Sequence, residues 1–326
     1  MEKQGKSIDK DQLYGILETR NVKYVQFGLE QRFPTWYGST AYFQLSTRKL
    51  GLRDPDGRLP SRGSASSSGK KAKSFHTHPE VSEYWLDTLY VCEYCFKYTD
   101  VGKELQEHGT QCPYRFKTPG RIQYRSPELS IRKVSGSRHT LFCQCLCLFT
   151  KLFLDNKSMY FKVDHYDFYI VYDTGSKKPM AFFSKDLVSY QKNNLACILT
   201  LPPYQRRGLG TLLMDFSYKL SVRDGLISGP EQPLSPFGLV SYLKYWSTLV
   251  CFQVLEGELQ GESRITAEDI SKATGMRVSD VLLTLRSLEC LTQNQEISLQ
   301  ILRQRFKNHK QYSHAFINKD LLILDN

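Results

Sequence analysis

Two clusters in this 326-residue chain have the residue types and spacing to do chemistry. The first is Cys92-x2-Cys95-x12-His108-x3-Cys112. Zinc takes four soft or borderline ligands in a tetrahedron. A Cys-x2-Cys knuckle supplies two thiolates, and one helical turn separates the His from the last Cys. Four protein ligands leave no open position, so the site is structural. Such a finger binds DNA or staples a strand pair to a larger domain. The second cluster is Gln205-Arg-Arg-Gly-Leu-Gly210. It follows an apolar run, Leu195 to Leu201, that Pro202 and Pro203 stop, and it precedes Leu209, Leu212, Leu213, Phe216 and Leu220 at helical spacing. The glycines let backbone approach a ligand, and the first N–H groups of the new helix favour an anion. Arg206 and Arg207 add positive charge there. The hexamer reads as a pyrophosphate cradle or as a tight strand–helix turn with solvated arginines.

The neighbouring residues exclude two phosphate ligands. A nucleotide-hydrolysing P-loop carries Lys-Ser/Thr after its last Gly, whereas Gly210 is followed by Thr211 and Leu212. A dinucleotide fingerprint needs a third Gly where this chain has Leu213. Gln/Arg-x-x-Gly-x-Gly after a strand is instead the pattern of acetyl-coenzyme A transferases.

The elements that must position these residues belong to a globular chain. Hydrophobic residues make up 40% and aromatics 13%, enough for a sizeable core. Lys and Arg exceed Asp and Glu by 11, which suits an anionic partner: nucleic acid, a nucleosome or a polyphosphate cofactor. Leu141 to Leu154 is too short for a membrane span and contains Gln144 and Lys151. The opening residues are polar and read as no signal peptide. Nine cysteines in such a chain are thiols and metal ligands rather than a disulfide framework.

In chain order, Val22 to Gly28 reads as a strand. Residues 46–78, rich in Ser, Gly, Arg and Lys, read as a flexible insertion, in which Lys70-Lys71-Ala-Lys73 is a nuclear import signal or a solvated basic loop. Asp100 is placed to cap a helix reaching His108. Leu141 to Leu154 reads as a buried helix, with Cys143, Cys145 and Cys147 as core packing. Met159 to Val163 and Tyr166 to Tyr172 read as strands, and Asp173-Thr-Gly175 turns the chain into Met180 to Ser184. With the Leu195 strand these predict a mixed sheet. Phe237 to Trp246 reads as an amphipathic helix. Residues 264–291 read as helix–turn–helix: Thr266 caps the first helix, Gly275 ends it, and Val278 to Leu288 form the second. That unit is a DNA reader or a helical end lobe packed on the sheet. Arg303, Arg305, Lys307 and Lys310 form a basic patch.

Several of these pieces together resemble one family, the MYST histone acetyltransferases. The resemblance covers nearly everything from about residue 20 and rests on Val22-Lys-Tyr-Val-Gln-Phe-Gly28, the zinc knuckle, Leu152-Phe-Leu-Asp-Asn-Lys157, Asn194-Leu-Ala-Cys-Ile-Leu-Thr-Leu-Pro202, the Gln205–Gly210 hexamer and Pro230-Glu-Gln-Pro-Leu-Ser-Pro-Phe-Gly-Leu-Val-Ser-Tyr242. The short N-terminal part, with no chromo-like domain, resembles the fungal silencing-associated branch. The resemblance implies a mixed α/β fold: an acetyl-CoA transferase (GNAT-like) core sheet with flanking helices, an N-terminal C2HC zinc finger and a C-terminal helix–turn–helix lobe. The divisions expected are N-terminal strands at 1–45, the insertion at 46–78, the finger at 79–120, the catalytic core at 121–250 and the lobe at 251–326.

Residue by residue, the resemblance implies that backbone groups of Ile198, Leu199 and Thr200 bond the pantetheine arm and thioester. Gln205, Arg206, Arg207, Gly208, Leu209, Gly210 and Thr211 would hold the pyrophosphate. Ser235 and Lys244 stand at the remaining coenzyme positions. Glu231 matches the general base, Cys197 the active-site cysteine, and Lys157 the lysine that members acetylate on themselves. A carboxylate suits the role: a lysine ammonium cannot attack a thioester until it loses a proton, and a carboxylate in a partly apolar site takes it. We expect direct attack with Glu231 as base; the other reading makes Cys197 the nucleophile of an acetyl-cysteine intermediate. Acetyl-CoA as substrate, a structural zinc, nucleosomal histone tails (histone four above all), partner subunits of a multi-subunit complex, non-specific DNA contact and a nuclear location follow from the same resemblance. The competing readings are a non-catalytic zinc-finger and helix–turn–helix DNA-binding regulator, and a scaffold subunit. The sequence departs from the family pattern at Ser228-Gly229, Gln232, Pro236 and Leu209, which bears on substrate preference and loop geometry.

Overall fold

The computed structural model of the protein describes residues 16–323 apart from 18, 46, 52–83, 155–159, 263, 293, 295 and 310–316. Most of the expected 46–78 insertion, with Lys70, Lys71 and Lys73, lies outside the described residues, as do Lys157 and Lys310. The described chain divides into two compact units: residues 1–117 with 141–163, and residues 118–140 with 164–326.

In the first unit β2 (Val22–Phe27) lies between β3 (Gln31–Pro34) and β5 (Leu86–Val91), and β6 (Tyr98–Thr99) pairs with β5. The β2–β5 pair is parallel and the others antiparallel. A two-residue pair, β1 (Ile16–Leu17) and β4 (Gly38–Ser39), stands apart. Helix α1 (Gly102–Gln111) and the single turn α2 (Pro113–Phe116) follow. Helix α3 (Thr140–Lys151) brings the three alternating cysteines, all buried. Its Phe149 ring sits 5.3 Å from Phe27 and 5.4 Å from Phe96, which ties helix, sheet and knuckle into one aromatic core.

In the second unit, five strands run in the order β11-β10-β9-β8-β7: β7 (Arg121–Arg125), β8 (Leu129–Ser135), β9 (Tyr166–Asp173), β10 (Pro179–Asp186) and β11 (Cys197–Thr200). Helix α4 (Leu209–Arg223) covers one face, burying Leu209, Leu213, Phe216 and Leu220 against Tyr169, Val171, Phe183 and Leu195. That is the apolar stripe expected from the sequence. Helices α5 (Pro236–Leu255), α6 (Ala267–Thr274), α7 (Val278–Ser287) and α8 (Leu299–His309) complete the unit.

Five expectations are corrected. The five-stranded sheet is antiparallel at every pairing rather than mixed, because its strands follow one another as a meander. Residues 160–163 form no strand: 160 and 161 bend, and 162 and 163 are irregular. Helix α5 runs to Leu255, well past Trp246; its second half is mostly apolar and largely buried between α4 and the end lobe. The cap of α1 is Val101, without a side-chain bond. Thr99, not Asp100, organises that start, accepting from the Val101 N–H and donating to Glu104. The helices of the end lobe pack on α4 and α5 through Ile270, Met276, Val281, Leu285 and Leu302, with Ile198 the one sheet residue in that core among those described, whereas the lobe's last segment, Ile317 to Leu322, does pack on the sheet at Tyr124. The helix signals inside the lobe hold: Thr266 and Asp269 form a capping box and Gly275 ends α6 at φ 74°. Among the described residues no helix is long and apolar enough to cross a membrane.

Candidate functional site

The four zinc-ligand residues converge. One donor atom from each of Cys92, Cys95, His108 and Cys112 lies within 4.8 Å of the others, and Cys95 Sγ is 3.2 Å from His108 Nε2. A tetrahedron with metal–sulfur bonds of about 2.3 Å has edges of about 3.8 Å, so the donors are spaced for zinc. The knuckle is folded by Phe96 N–H donating to the Cys92 carbonyl and Cys92 N–H to the Lys97 carbonyl, with Phe96 at φ 62°. His108 comes from the last turn of α1 and Cys112 is its cap. A hydrogen bond from the Cys95 thiol holds Cys92 down at about 5, and the same bond with burial pushes Cys95 up.

The cradle forms at the open edge of the sheet. Strand β11 pairs with β10 on one side, and its outer edge meets no strand among the described residues. Leu201 N–H bonds the Met180 carbonyl, so by the alternation of an antiparallel ladder the Ile198 and Thr200 backbone groups point outward. Gln205 confirms the direction, donating through Nε2 to the Thr200 carbonyl at 3.2 Å. Just before β11 the same edge is closed. Leu195 bridges Pro230 in parallel, Asn194 N–H bonds the Gly229 carbonyl at 3.0 Å, and Glu231 N–H bonds the Leu195 carbonyl at 2.8 Å. Among the described residues no bridge continues this pairing along Cys197–Thr200, so the outer edge of β11 is open there.

At the far end of that edge stands the start of α4. Gly208 caps the helix at φ 76°, a conformation that suits glycine, with no side-chain cap bond and no acidic residue in the first turn. The first helical bond runs from Leu212 N–H to the Gly208 carbonyl, so the Leu209, Gly210 and Thr211 N–H groups precede it. Arg206 and Arg207 are exposed beside them, with the Arg207 guanidinium 5.4 Å from the Tyr204 ring centre. A Cβ built on Gly208 meets nothing within 4 Å.

Glu231 is exposed in the loop before α5, and Cys197 is half-buried, whereas the other eight cysteines are buried. The Ser235 hydroxyl accepts the Gly238 N–H and caps α5, and Lys244 is exposed further along that helix. Behind the site, Asp215 of α4 is buried and accepts from Tyr245 of α5 at 3.0 Å and from the Ile317 N–H at 2.7 Å. Burial raises its carboxyl against the lowering pull of Lys219 and these hydrogen bonds. Sequence reasoning did not find Asp215, nor Arg277, which donates to the Pro230 carbonyl next to Glu231. Both act across long stretches of chain, where local pattern carries no signal.

An open strand edge leading into an anion-seeking helix start, joined to a C2HC finger, defines a zinc-finger acetyltransferase of mixed α/β fold that takes acetyl-CoA. The MOZ/SAS family profile matches residues 117–323, and the MYST family zinc finger profile matches residues 74–112. The chain belongs to the MYST (MOZ/SAS) family. It is 56% identical over 319 residues to the histone acetyltransferase SAS2 of Saccharomyces cerevisiae, covering 98% of this chain and 89% of that one. It is 41% identical over 206 residues to the histone acetyltransferase MOF of Drosophila melanogaster, covering 63% of this chain and 24% of that one. With the histone acetyltransferase mst2 of Schizosaccharomyces pombe it shares 38% identity over 244 residues, covering 73% and 59%.

Proposed function

We propose that this chain transfers the acetyl group of acetyl-CoA to lysine side chains of nucleosomal histone tails, histone four above all. It does so in the nucleus and within a multi-subunit complex. The reading is carried by the open edge of β11, which leads to the α4 cradle. The pyrophosphate lies on the N–H groups of residues 208–211, flanked by Gln205, Arg206 and Arg207. Outward backbone groups of Ile198 and Thr200 bond the pantetheine amides and the thioester oxygen, and Leu199 holds the strand against β10. Lys244 meets the coenzyme from α5, and Ser235 fixes that helix start.

Glu231 takes the proton from the substrate ammonium. The neutral amine attacks the thioester carbonyl, and the tetrahedral adduct collapses with cleavage of the carbon–sulfur bond. Coenzyme A leaves as a thiolate and takes up a proton. Cys197 lies beside the thioester and forms no intermediate. Lys157 is the self-acetylated lysine. The net charge of +11 contributes non-specific contact with nucleosomal DNA.

The test is Glu231→Gln assayed on nucleosomes in the assembled complex. The expected result is a kcat loss of about 100- to 10,000-fold with acetyl-CoA affinity unchanged. Wild-type kcat in this variant would remove Glu231 from the reaction.

A further inference from the structure

The segment carrying Glu231 is held on both edges. On one side it bonds Asn194 and Leu195, as above. On the other, Ser228 N–H bonds the Gly275 carbonyl at 2.9 Å and Ser228 pairs in parallel with Met276, in the turn between α6 and α7. The Ser228 hydroxyl reaches Ser221 of α4 at 2.8 Å. The loop lies so close to α7 that a Cβ on Gly229 would run into the Asp280 carboxylate and stand 3.5 Å from the Arg277 side chain.

Arg277 is the N-cap residue of α7, yet its side chain makes no cap bond. Its guanidinium instead donates through Nη1 to the Pro230 carbonyl at 3.3 Å. Nη2 donates to the Gln191 carbonyl at 3.1 Å and to Asn193 Oδ1. One planar cation thus joins the β10–β11 loop, the residue before Glu231 and the end lobe. Guanidinium suits this use, with several donors in a fixed fork.

We propose that Arg277 is a positioning residue for acetyl transfer, holding the Pro230–Glu231 backbone so that the Glu231 carboxylate meets the substrate ammonium. The inference rests on Glu231 being the base. It gives the turn of the end lobe a catalytic purpose besides packing. A base must sit within hydrogen-bond reach of its proton, and a misplacement of about 1 Å costs about 100-fold in rate. Backbone bonds from residues 194 and 195 fix one edge of the loop, and Arg277 fixes the carbonyl between them from the lobe side.

The experiment is a single-turnover cycle on nucleosomes, with the full chain in its assembled complex. It compares wild type, Arg277→Ala, Arg277→Lys, Glu231→Gln and the Arg277→Ala/Glu231→Gln double variant, with acetyl-CoA affinity measured for each. Arg277→Ala is expected to slow transfer about 10- to 100-fold at unchanged acetyl-CoA affinity. Arg277→Lys, which keeps donors but not the fork, should fall between it and wild type. The double variant should be no slower than Glu231→Gln alone, because Arg277 acts through Glu231. A double variant slowed by the product of the single losses would overturn the inference, as would wild-type transfer by Arg277→Ala or a loss of acetyl-CoA affinity in both Arg277 variants. Wild-type transfer by Glu231→Gln would overturn the base assignment itself and the inference with it.

Discussion

At the residue scale, the two groups proposed to stand near the reacting centre differ in exposure. Glu231 is exposed, and its backbone is pinned to Leu195. Cys197 opens β11 and is half-buried. If the lysine attacks directly, Cys197→Ala keeps transfer within about threefold of wild type, since one small half-buried side chain is exchanged for another. Abolished transfer in a folded, acetyl-CoA-binding Cys197→Ala protein would establish the acetyl-cysteine route instead. Asp215 is a residue of the scaffold rather than of the reaction. Replacing it with Ala leaves the Tyr245 hydroxyl and the Ile317 N–H without their acceptor, at a cost of about 3 kcal/mol in denaturant unfolding. Because its carboxyl is raised above 3.8, the folded chain keeps that proton to higher pH than the unfolded chain. Its contribution is therefore full below the ordinary value and declines as pH rises towards the raised one. Asp215→Ala removes that slope, and unfolding curves across pH 3 to 7 would show whether it does.

At the element scale, the finger and the cradle helix differ in what supports them. Helix α1 contributes His108 and buries only Leu105, so the knuckle depends on its metal more than on packing. Chelation should unfold the α1 segment and expose Cys92, Cys95 and Cys112 to thiol reagents, while α4 stays protected from hydrogen exchange by its contacts with the sheet. Retained α1 protection after complete zinc removal would contradict this. Helix α4 was legible before the structure because its apolar residues recur at helical period and Gly208 sits where a left-handed cap is needed. The zinc ligands were legible because type and spacing together specify a tetrahedron. Strand pairing was not. The run Met159 to Val163 has strand composition, but residues 160–163 are irregular, and nothing local says so. Helix α5 exceeded its expected length because its second half, largely buried, lacks amphipathic period.

At the scale of the whole molecule, family membership and the zinc ligands were readable from motifs, whereas the long-range contacts behind the Glu231 loop were not. Arg277 meets Pro230 across 47 residues, and Ile317 meets Asp215 across 102. Such contacts follow from the packing of the end lobe on α4 and α5, which no window of sequence contains. They join the lobe to the loop that carries Glu231 and to the helix that carries Asp215. The central claim remains that the open edge of β11 and the start of α4 form an acetyl-CoA site. Calorimetric titration of the zinc-loaded chain with acetyl-CoA, beside Gly208→Glu, tests it most directly. The variant has open space for its side chain and adds a negative charge where the pyrophosphate is bound, with some backbone strain at φ 76°. The account predicts saturable binding by the wild type, weakened at least 100-fold in a folded Gly208→Glu protein. Equal affinity in the two proteins, or no binding by a folded wild type, would contradict it.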